Sequence, residues 1–382
     1  MSAQSLIAQR IREHGPITVA EFMSLALYHP TEGYYARTAR RTGRAGDFIT
    51  SVDVGPLFGR LLARQFAEMW GVLKDSPIPD RQSPSFDLVE AGAANGQLAR
   101  DILDAAESDT PDFYAAIRLH LVEASPAARA VQRETLGRHA GKIAAASGRL
   151  PDSVHGIVYA NELLDALPVH AVVMTENGLR EFFVDLEGER LVERIGQPST
   201  PALQRYLEWV GATLQPGSRA EINLAALAWM TRACLGLHRG FLVLIDYGHP
   251  AGELYSPTHA GGTLATFTRH VSEDPRPEAP PWLASPGTRD ITSHVDLTGI
   301  RQAAEDFGCR TLGMLDQTYF LLALAEPGSE AERGDPSDTK RRLALKTLVM
   351  PGGLGSSHKV MVFGKEVGTP SLRGLSGMAR LT

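Results

Sequence analysis

The chain has 382 residues, 43% hydrophobic and 21% charged, with 38 basic against 44 acidic side chains and a formal net charge of −6. That length carries a full hydrophobic core in one elaborated domain or two ordinary ones, with no need of a metal or disulfide staple. The acidic balance argues against an electrostatic grip on nucleic acid or on an anionic membrane, both of which need a basic face.

Met1 to His14 reads as an amphipathic helix stopped by Gly15-Pro16, not as a cleaved targeting signal. Residues 1–80 form a mostly helical region with a Gly-, Arg- and Tyr-rich loop from Thr31 to Ser51, and a Ser/Pro/Asp-rich stretch, Lys74 to Ser85, separates it from the remainder of the chain. From Phe86 onward short apolar runs alternate with helical patterns. Phe86 to Glu90 is a buried strand, followed by a Gly/Ala turn and a helix from Gln97 to Glu107. Leu119 to Glu123 is a second strand, followed by a helix beginning near Ser125-Pro126, and Gly156 to Ala160 and Gly240 to Asp246 are a third and a fourth. Continuous apolar runs separated by helices indicate a parallel sheet covered on both faces, the doubly wound α/β class.

Residues 171–195 alternate around Glu176-Asn177-Gly178, where the Asn-Gly step suggests a hairpin turn in an insertion or edge ribbon. The core is expected over 81–365, with insertions at about 171–238 and 249–292, the second too long for a plain connection. Val295 to Phe307 reads as an amphipathic helix, Lys359 to Phe363 as a late edge strand, and 326–340 and 366–382 as solvated, the last a flexible tail. The longest apolar run, Phe241 to Ile245, is far short of the roughly 20 residues that span a bilayer. Cys234 and Cys309 have no CxxC spacing and no histidine at ligand spacing, so no metal site is expected.

The run Glu90-Ala91-Gly92-Ala93-Ala94-Asn95-Gly96 stands where the first strand turns into the first helix. Glycines there let a backbone approach a ligand, and the helix N-terminus offers unpaired N–H groups, although strand–Gly–helix turns occur throughout α/β proteins. Glu123 closes the second strand, where an acid can accept hydrogen bonds from ribose hydroxyls or simply be solvated. The full G-x-G-x-x-G turn and the GxxxxGK[ST] loop are absent, so S-adenosylmethionine fits better than NAD or ATP. The third strand ends in Asn161-Glu162-Leu163-Leu164-Asp165-Ala166-Leu167-Pro168. If a helical turn starts there, Glu162 and Asp165 face one side; ordinary capping by Asn161 is the competing reading.

With these come further runs: Gly15-Pro16-Ile17, Tyr28-His29-Pro30, Gly33-Tyr34-Tyr35, Gly46-Asp47-Phe48-Ile49-Thr50-Ser51, Asp246-Tyr247-Gly248, Gly262-Thr263-Leu264, Arg269-His270 and Asp290-Ile291-Thr292-Ser293-His294-Val295-Asp296. On them the chain, from about Gly15 to Lys365, resembles the MidA-like family of class I S-adenosylmethionine-dependent methyltransferases, which includes a mitochondrial arginine methyltransferase that assists assembly of respiratory complex I. The family usually has Gly-Pro-Gly-x-Gly in the turn; here Ala94 adds a methyl group, with a weaker cofactor grip or a shifted loop as the two expectations.

The resemblance implies S-adenosyl-L-methionine as cofactor and a helical N-terminal lid region at 1–80. Glu90, Gly92, Ala94 and Gly96 would line the cofactor, with Glu123 and Ala124 at its ribose. Phe48, Thr50 and Ser51 would fold over it, and Asn161, Glu162 and Asp165 would stand nearest the transferring methyl. If the acceptor is a protein arginine, Glu162 and Asp165 would hold its guanidinium. Asp246-Tyr247 and His294 would shape the acceptor channel, although His294 and Arg269-His270 read equally as scaffold. The alternatives are a methyltransferase for a small molecule or another side chain, and a non-catalytic assembly factor that retains the fold. A nucleotide-dependent oxidoreductase is more distant. Without a transit peptide and with arginine dominating the basic residues, the expected setting is a bacterial cytoplasm, with a protein substrate, no nucleic acid, no membrane insertion, and homo-oligomer formation left open.

Overall fold

The computed structural model describes residues 2–38, 50–75, 86–268, 271–272, 280–325, 336–350 and 354–380. Its centre is a sheet whose strands are β1 (Phe86–Ala91), β2 (Ile117–Val122), β3 (Ile143–Ser147), β4 (Val154–Asn161), β5 (Leu237–His249), β6 (Arg310–Asp316) and β7 (His358–Lys365). The spatial order is β3-β2-β1-β4-β5-β7-β6, and a short strand, Val295–Asp296, adds in parallel to the end of β5. Strands β1 to β5 run parallel, while β7 is antiparallel to both its neighbours.

Both faces of this sheet are buried, which is why its strands read as unbroken apolar runs. Leu88, Ile157, Tyr159, Phe241 and Val243 point to one face, where the helices Leu57–Asp75 and Gln97–Asp109 pack. Val89, Val158, Leu242, Leu244 and Met361 point to the other, under the helices Leu224–Gly236 and Leu297–Asp306. Truncating a fully buried member such as Leu242 to alanine costs about 2–5 kcal/mol through lost burial and the cavity left behind.

A second layer is antiparallel: Ile17–Thr18, Gly178–Glu187, His170–Thr175 and Arg219–Ile222 in that order, with Arg190–Gly196 on Gly178–Glu187. The N-terminal helices Ala3–His14 and Val19–Tyr28 cover it through Ile7, Phe22, Met23 and Leu27 against Val169, Ala171 and Val184. The 1–80 region is therefore not one unit. Its first 28 residues belong with the inserted sheet, because Ile17 and Thr18 pair with Val184 and Phe183, while Leu57–Asp75 belongs to the central core.

Three further expectations are corrected. The segment read as an edge strand is β7, an interior strand, because β6 pairs on its outer side. The hairpin turns at Glu176-Asn177, since Thr175 already pairs with Gly178. The tail is docked rather than free: Leu372 is buried, the Gly374 N–H donates to Gln65 Oε1 at 2.8 Å, and Leu375 packs on the central core. Among the described residues, no helix is long and apolar enough to cross a membrane.

Candidate functional site

The carboxyl ends of β1, β2, β4 and β5 converge. At β1 the chain leaves Glu90 and turns back over Val122, whose carbonyl accepts from the Gly92 and Ala93 N–H groups at 2.9 and 3.0 Å. Gly92 (φ 72°), Ala94 (φ 42°) and Gly96 (φ 87°) all lie in the left-handed region. Ala94 therefore takes a backbone conformation that glycine adopts freely, at a cost of about 1–2 kcal/mol for a residue with a Cβ. Gly96 then starts the helix Gln97–Asp109.

Glu123 ties this turn to β2. The Ala94 N–H donates to its Oε2 at 2.9 Å and the Ser125 N–H to its Oε1 at 2.7 Å. The Ser125 hydroxyl caps the next helix, Pro126–Leu136, by accepting from Ala128 N–H. Burial raises the Glu123 pKa, opposed by these backbone donors. Ala124 is exposed beside it. Glu90 is deeply buried, its Oε2 has no hydrogen-bond partner among the described residues, and burial pushes its carboxyl up to about 8.

At the end of β4 the expected helical turn is absent. Glu162 takes φ 51°, and the residues after it form bends and turns up to Pro168. They are held from outside: Asp246 Oδ2 accepts from the Leu163 and Leu164 N–H groups at 3.1 and 2.7 Å, and Asn223 Nδ2 donates to the Leu164 carbonyl at 2.9 Å. Asn161 does not cap a helix. Its Nδ2 donates to Glu162 Oε1 at 3.1 Å, and its buried Oδ1 has no partner among the described residues.

Two more groups meet Glu162 Oε1. The Ser51 N–H donates to it at 3.4 Å, and His358 Nε2 stands 3.4 Å away, with His358 Nδ1 donating to the Leu354 carbonyl at 2.8 Å. The Ser51 hydroxyl bonds Gln317. Thr50 turns elsewhere, donating both its N–H and its hydroxyl to Asp53 Oδ2 at 3.0 Å. Phe48, Arg269 and His270 lie outside the described residues.

Asp165 is buried with Oδ1 unpartnered among the described residues, and its pKa is raised well above the usual carboxylate range by burial, then by Asp246, Glu162 and Asp290. Burial likewise pushes Asp246 up to about 7. Two tyrosines to which the sequence alone assigns no role close this cluster. Tyr28 donates to the Ala166 carbonyl at 3.0 Å and Tyr35 to Asp290 Oδ1 at 2.9 Å. Both hydroxyls are held protonated by burial and then by Asp290. Among the signals in the sequence, the Tyr28-His29-Pro30 and Gly33-Tyr34-Tyr35 runs are the ones that could mark them.

Beyond β5, His249, His259 and His294 gather. The Ser293 N–H donates to the Asp165 carbonyl at 2.9 Å, which fixes His294 next to the acid cluster. Burial, then His249 and His259, depress the His294 pKa to about 4.

A crowd of buried carboxyls with unpaired oxygens, facing a left-handed turn at a helix start, is matched to a cation whose other end carries hydroxyls. S-adenosylmethionine is such a ligand: its ammonium and sulfonium suit Glu90 and the β4 end, and its ribose suits Glu123. Sheet order and site together define an S-adenosylmethionine-dependent methyltransferase of the class I type.

Comparison with known proteins agrees. A family model of S-adenosyl-L-methionine-dependent methyltransferases matches residues 61–315, and the chain belongs to that family. Among its relatives, protein arginine methyltransferase NDUFAF7, mitochondrial, of Mus musculus is 30% identical over 340 residues, 82% of this chain and 71% of its own length. The homologue of Drosophila melanogaster is 30% identical over 343 residues, 82% and 72% of the two chains. The crystal structure of a Burkholderia thailandensis protein assigned as a methyl transferase, bound to S-adenosyl-homocysteine, matches with a TM-score of 0.83 at 29% identity, covering 98% of this chain and 94% of that one.

Proposed function

We propose that this methyltransferase modifies an arginine side chain of a protein. The observation that carries the reading is the buried Asp165, whose Oδ1 has no hydrogen-bond partner among the described residues and whose carboxyl is crowded by Asp246, Glu162 and Asp290, a crowding that a counter-cation would relieve. A guanidinium, charged up to a pKa above about 12, supplies one in a planar fork that a carboxylate can meet with two hydrogen bonds. The names of the relatives point the same way.

In this reading Glu90, Gly92, Ala94 and Gly96 hold the methionine side of the cofactor, and Glu123 and Ala124 its ribose side. The cofactor, when bound, supplies an electrophilic methyl on a sulfonium. Thr50 and Ser51 belong to the segment that covers it. Glu162, steadied by Asn161, Ser51 and His358, orients the acceptor nitrogen. Asp246 holds the Asn161–Pro168 loop in place. Asp165 Oδ1, ionised by the cations brought beside it, takes the proton that the nitrogen gives up as its N–H bond is replaced by N–CH3. Alignment and exclusion of water supply the remainder of the rate. The expected setting is the cytoplasm, tested by fractionation.

The test is incubation with methyl-labelled S-adenosylmethionine and arginine-containing proteins, followed by hydrolysis and amino-acid analysis. Methylarginine is the expected product, absent with Asp165→Asn. Label confined to small metabolites would move the reading to a small-molecule methyltransferase. No label at all, with S-adenosylhomocysteine still bound, would move it to an assembly factor.

A further inference from the structure

We propose that His249, His259 and His294 form a binding site for a late first-row divalent cation, Zn2+ foremost, at the carboxyl end of β5. One ring nitrogen from each lies within 4.8 Å of the other two, and the ring centroids are 4.8, 5.2 and 6.1 Å apart. Imidazole nitrogens suit Zn2+, which takes them at about 2.0–2.1 Å in a tetrahedral array. Ligand atoms in that array are about 3.4 Å apart, so the rings need to close by up to about 1.4 Å.

Two of the three tautomers are already set for ligation. His259 Nδ1 lies 3.0 Å from the Glu253 carbonyl, which can only accept, so Nδ1 carries the proton and Nε2 keeps its lone pair. His249 Nδ1 lies 3.0 Å from Glu253 Oε1, the carboxylate–histidine pairing that orients metal ligands and raises their basicity. His294 Nδ1 is buried with no hydrogen-bond partner among the described residues, so it too keeps an unclaimed position. One residue, Glu253, thus prepares two of the three rings.

The scaffold decides which ring moves. His249 belongs to β5 in register with Asp296, and the His294 N–H is held by Thr263 Oγ1 at 3.1 Å. His259 stands in a short 3-10 turn, Pro257–His259, on the connection that leaves β5, and can swing inward. Lys359, the nearby cation, is paired with Asp316. Three imidazoles leave the fourth position to water, and the ion would pin the 250–263 connection beside Asp246 and Asp165. In the sequence the three residues are 10 and 35 positions apart, which no ligand-spacing pattern detects.

The test uses the full-length protein without a histidine tag, stripped with a chelator and titrated with Zn2+ by calorimetry, with Co2+ as a visible-absorption probe of its ligands. One ion per chain is expected. His259→Ala should weaken it roughly 100-fold or more, and Glu253→Gln about 10–100-fold. His238→Ala, in an exposed histidine stacked on His155 away from this cluster, should leave it unchanged. S-adenosylhomocysteine binding by the His259 variant is measured in parallel and should persist, which shows that the fold is intact and keeps this inference separate from the proposed function. No ion bound by the wild type, or equal binding by the His259 variant, would overturn it.

Discussion

Ala94 and Glu123 lie 29 positions apart, and a single pair of adjacent strands brings them into contact. On the other side of the site, Tyr28, Asp165, Asp246 and Asp290 come from the N-terminal layer, the β4 loop, the end of β5 and a strand of the late insertion. The first region is a local motif carried by regular structure: three left-handed residues, a helix start and an acid one strand away. The second is irregular backbone held together by side chains, with Asp246 and Asn223 standing in for the hydrogen bonds that a helix or strand would have made. The difference teaches where tolerance lies. The turn depends on backbone geometry and can lose a glycine, whereas the loop depends on named carboxyls and cannot lose one without leaving a buried group unsatisfied.

Changes on the loop side should break the comparison hardest. Asp165→Asn keeps the shape and removes a proton acceptor, and methyl transfer should fall about 10²–10³-fold with S-adenosylhomocysteine affinity nearly unchanged. Kinetics beside calorimetry check this, and parallel losses in both would mean that Asp165 serves the fold or the cofactor instead. Asp246→Ala should be more disruptive to the fold, because the Leu163 and Leu164 N–H groups both lose their acceptor; about 2–4 kcal/mol of stability should disappear, read by denaturant unfolding.

An intermediate effect concerns pH. Glu90 and Asp246 release their protons near pH 8 and 7 in the folded chain but near 4.5 and 3.8 in the ordinary range that an unfolded chain follows. Between those limits the native state binds more protons than the unfolded one, so the ligand-free protein should lose stability as pH rises from about 4 to about 8. Glu90→Gln should flatten the Glu90 part of that fall and raise Tm at pH 8. Parallel wild-type and variant curves would show that Glu90 is ionised in the native state after all. The smallest effect belongs to the turn. Ala94→Gly relieves the positive φ at the expense of chain entropy, and should gain no more than about 1 kcal/mol with cofactor affinity unimpaired.

The same contrast sets what could be read from the sequence. The strands at Phe86, Val154 and Leu237 carry long buried apolar runs, and the one at Ile117 alternates with Arg118 and His120, so their type is written locally. β6 escapes a sequence reading because Arg310 to Asp316 mixes exposed and buried positions without a clean period, and without β6 the segment at His358 could only be read as an edge. Glu90, Glu123 and the Asn161–Asp165 run announce themselves by standing at strand ends. Tyr28, Tyr35, Asp290 and His358 do not, since the first three reach the site through packing between layers and His358 through the pairing of β7 with β5, neither of which any spacing records. The helical turn expected at Glu162 is broken by its own left-handed backbone, and Asp246, 84 positions away, accepts from the Leu163 and Leu164 N–H groups of the irregular loop that results.

The central claim is that the ends of β1 and β2 hold S-adenosylmethionine through Glu123 and the glycine-like turn. Calorimetric titration of the wild type and Glu123→Ala with S-adenosylhomocysteine tests it most directly. Tight binding by the wild type and an affinity roughly 50-fold lower in the variant, about 2–3 kcal/mol for a lost charge-assisted contact, is the predicted result. Equal affinities, or no binding by the wild type, would contradict it.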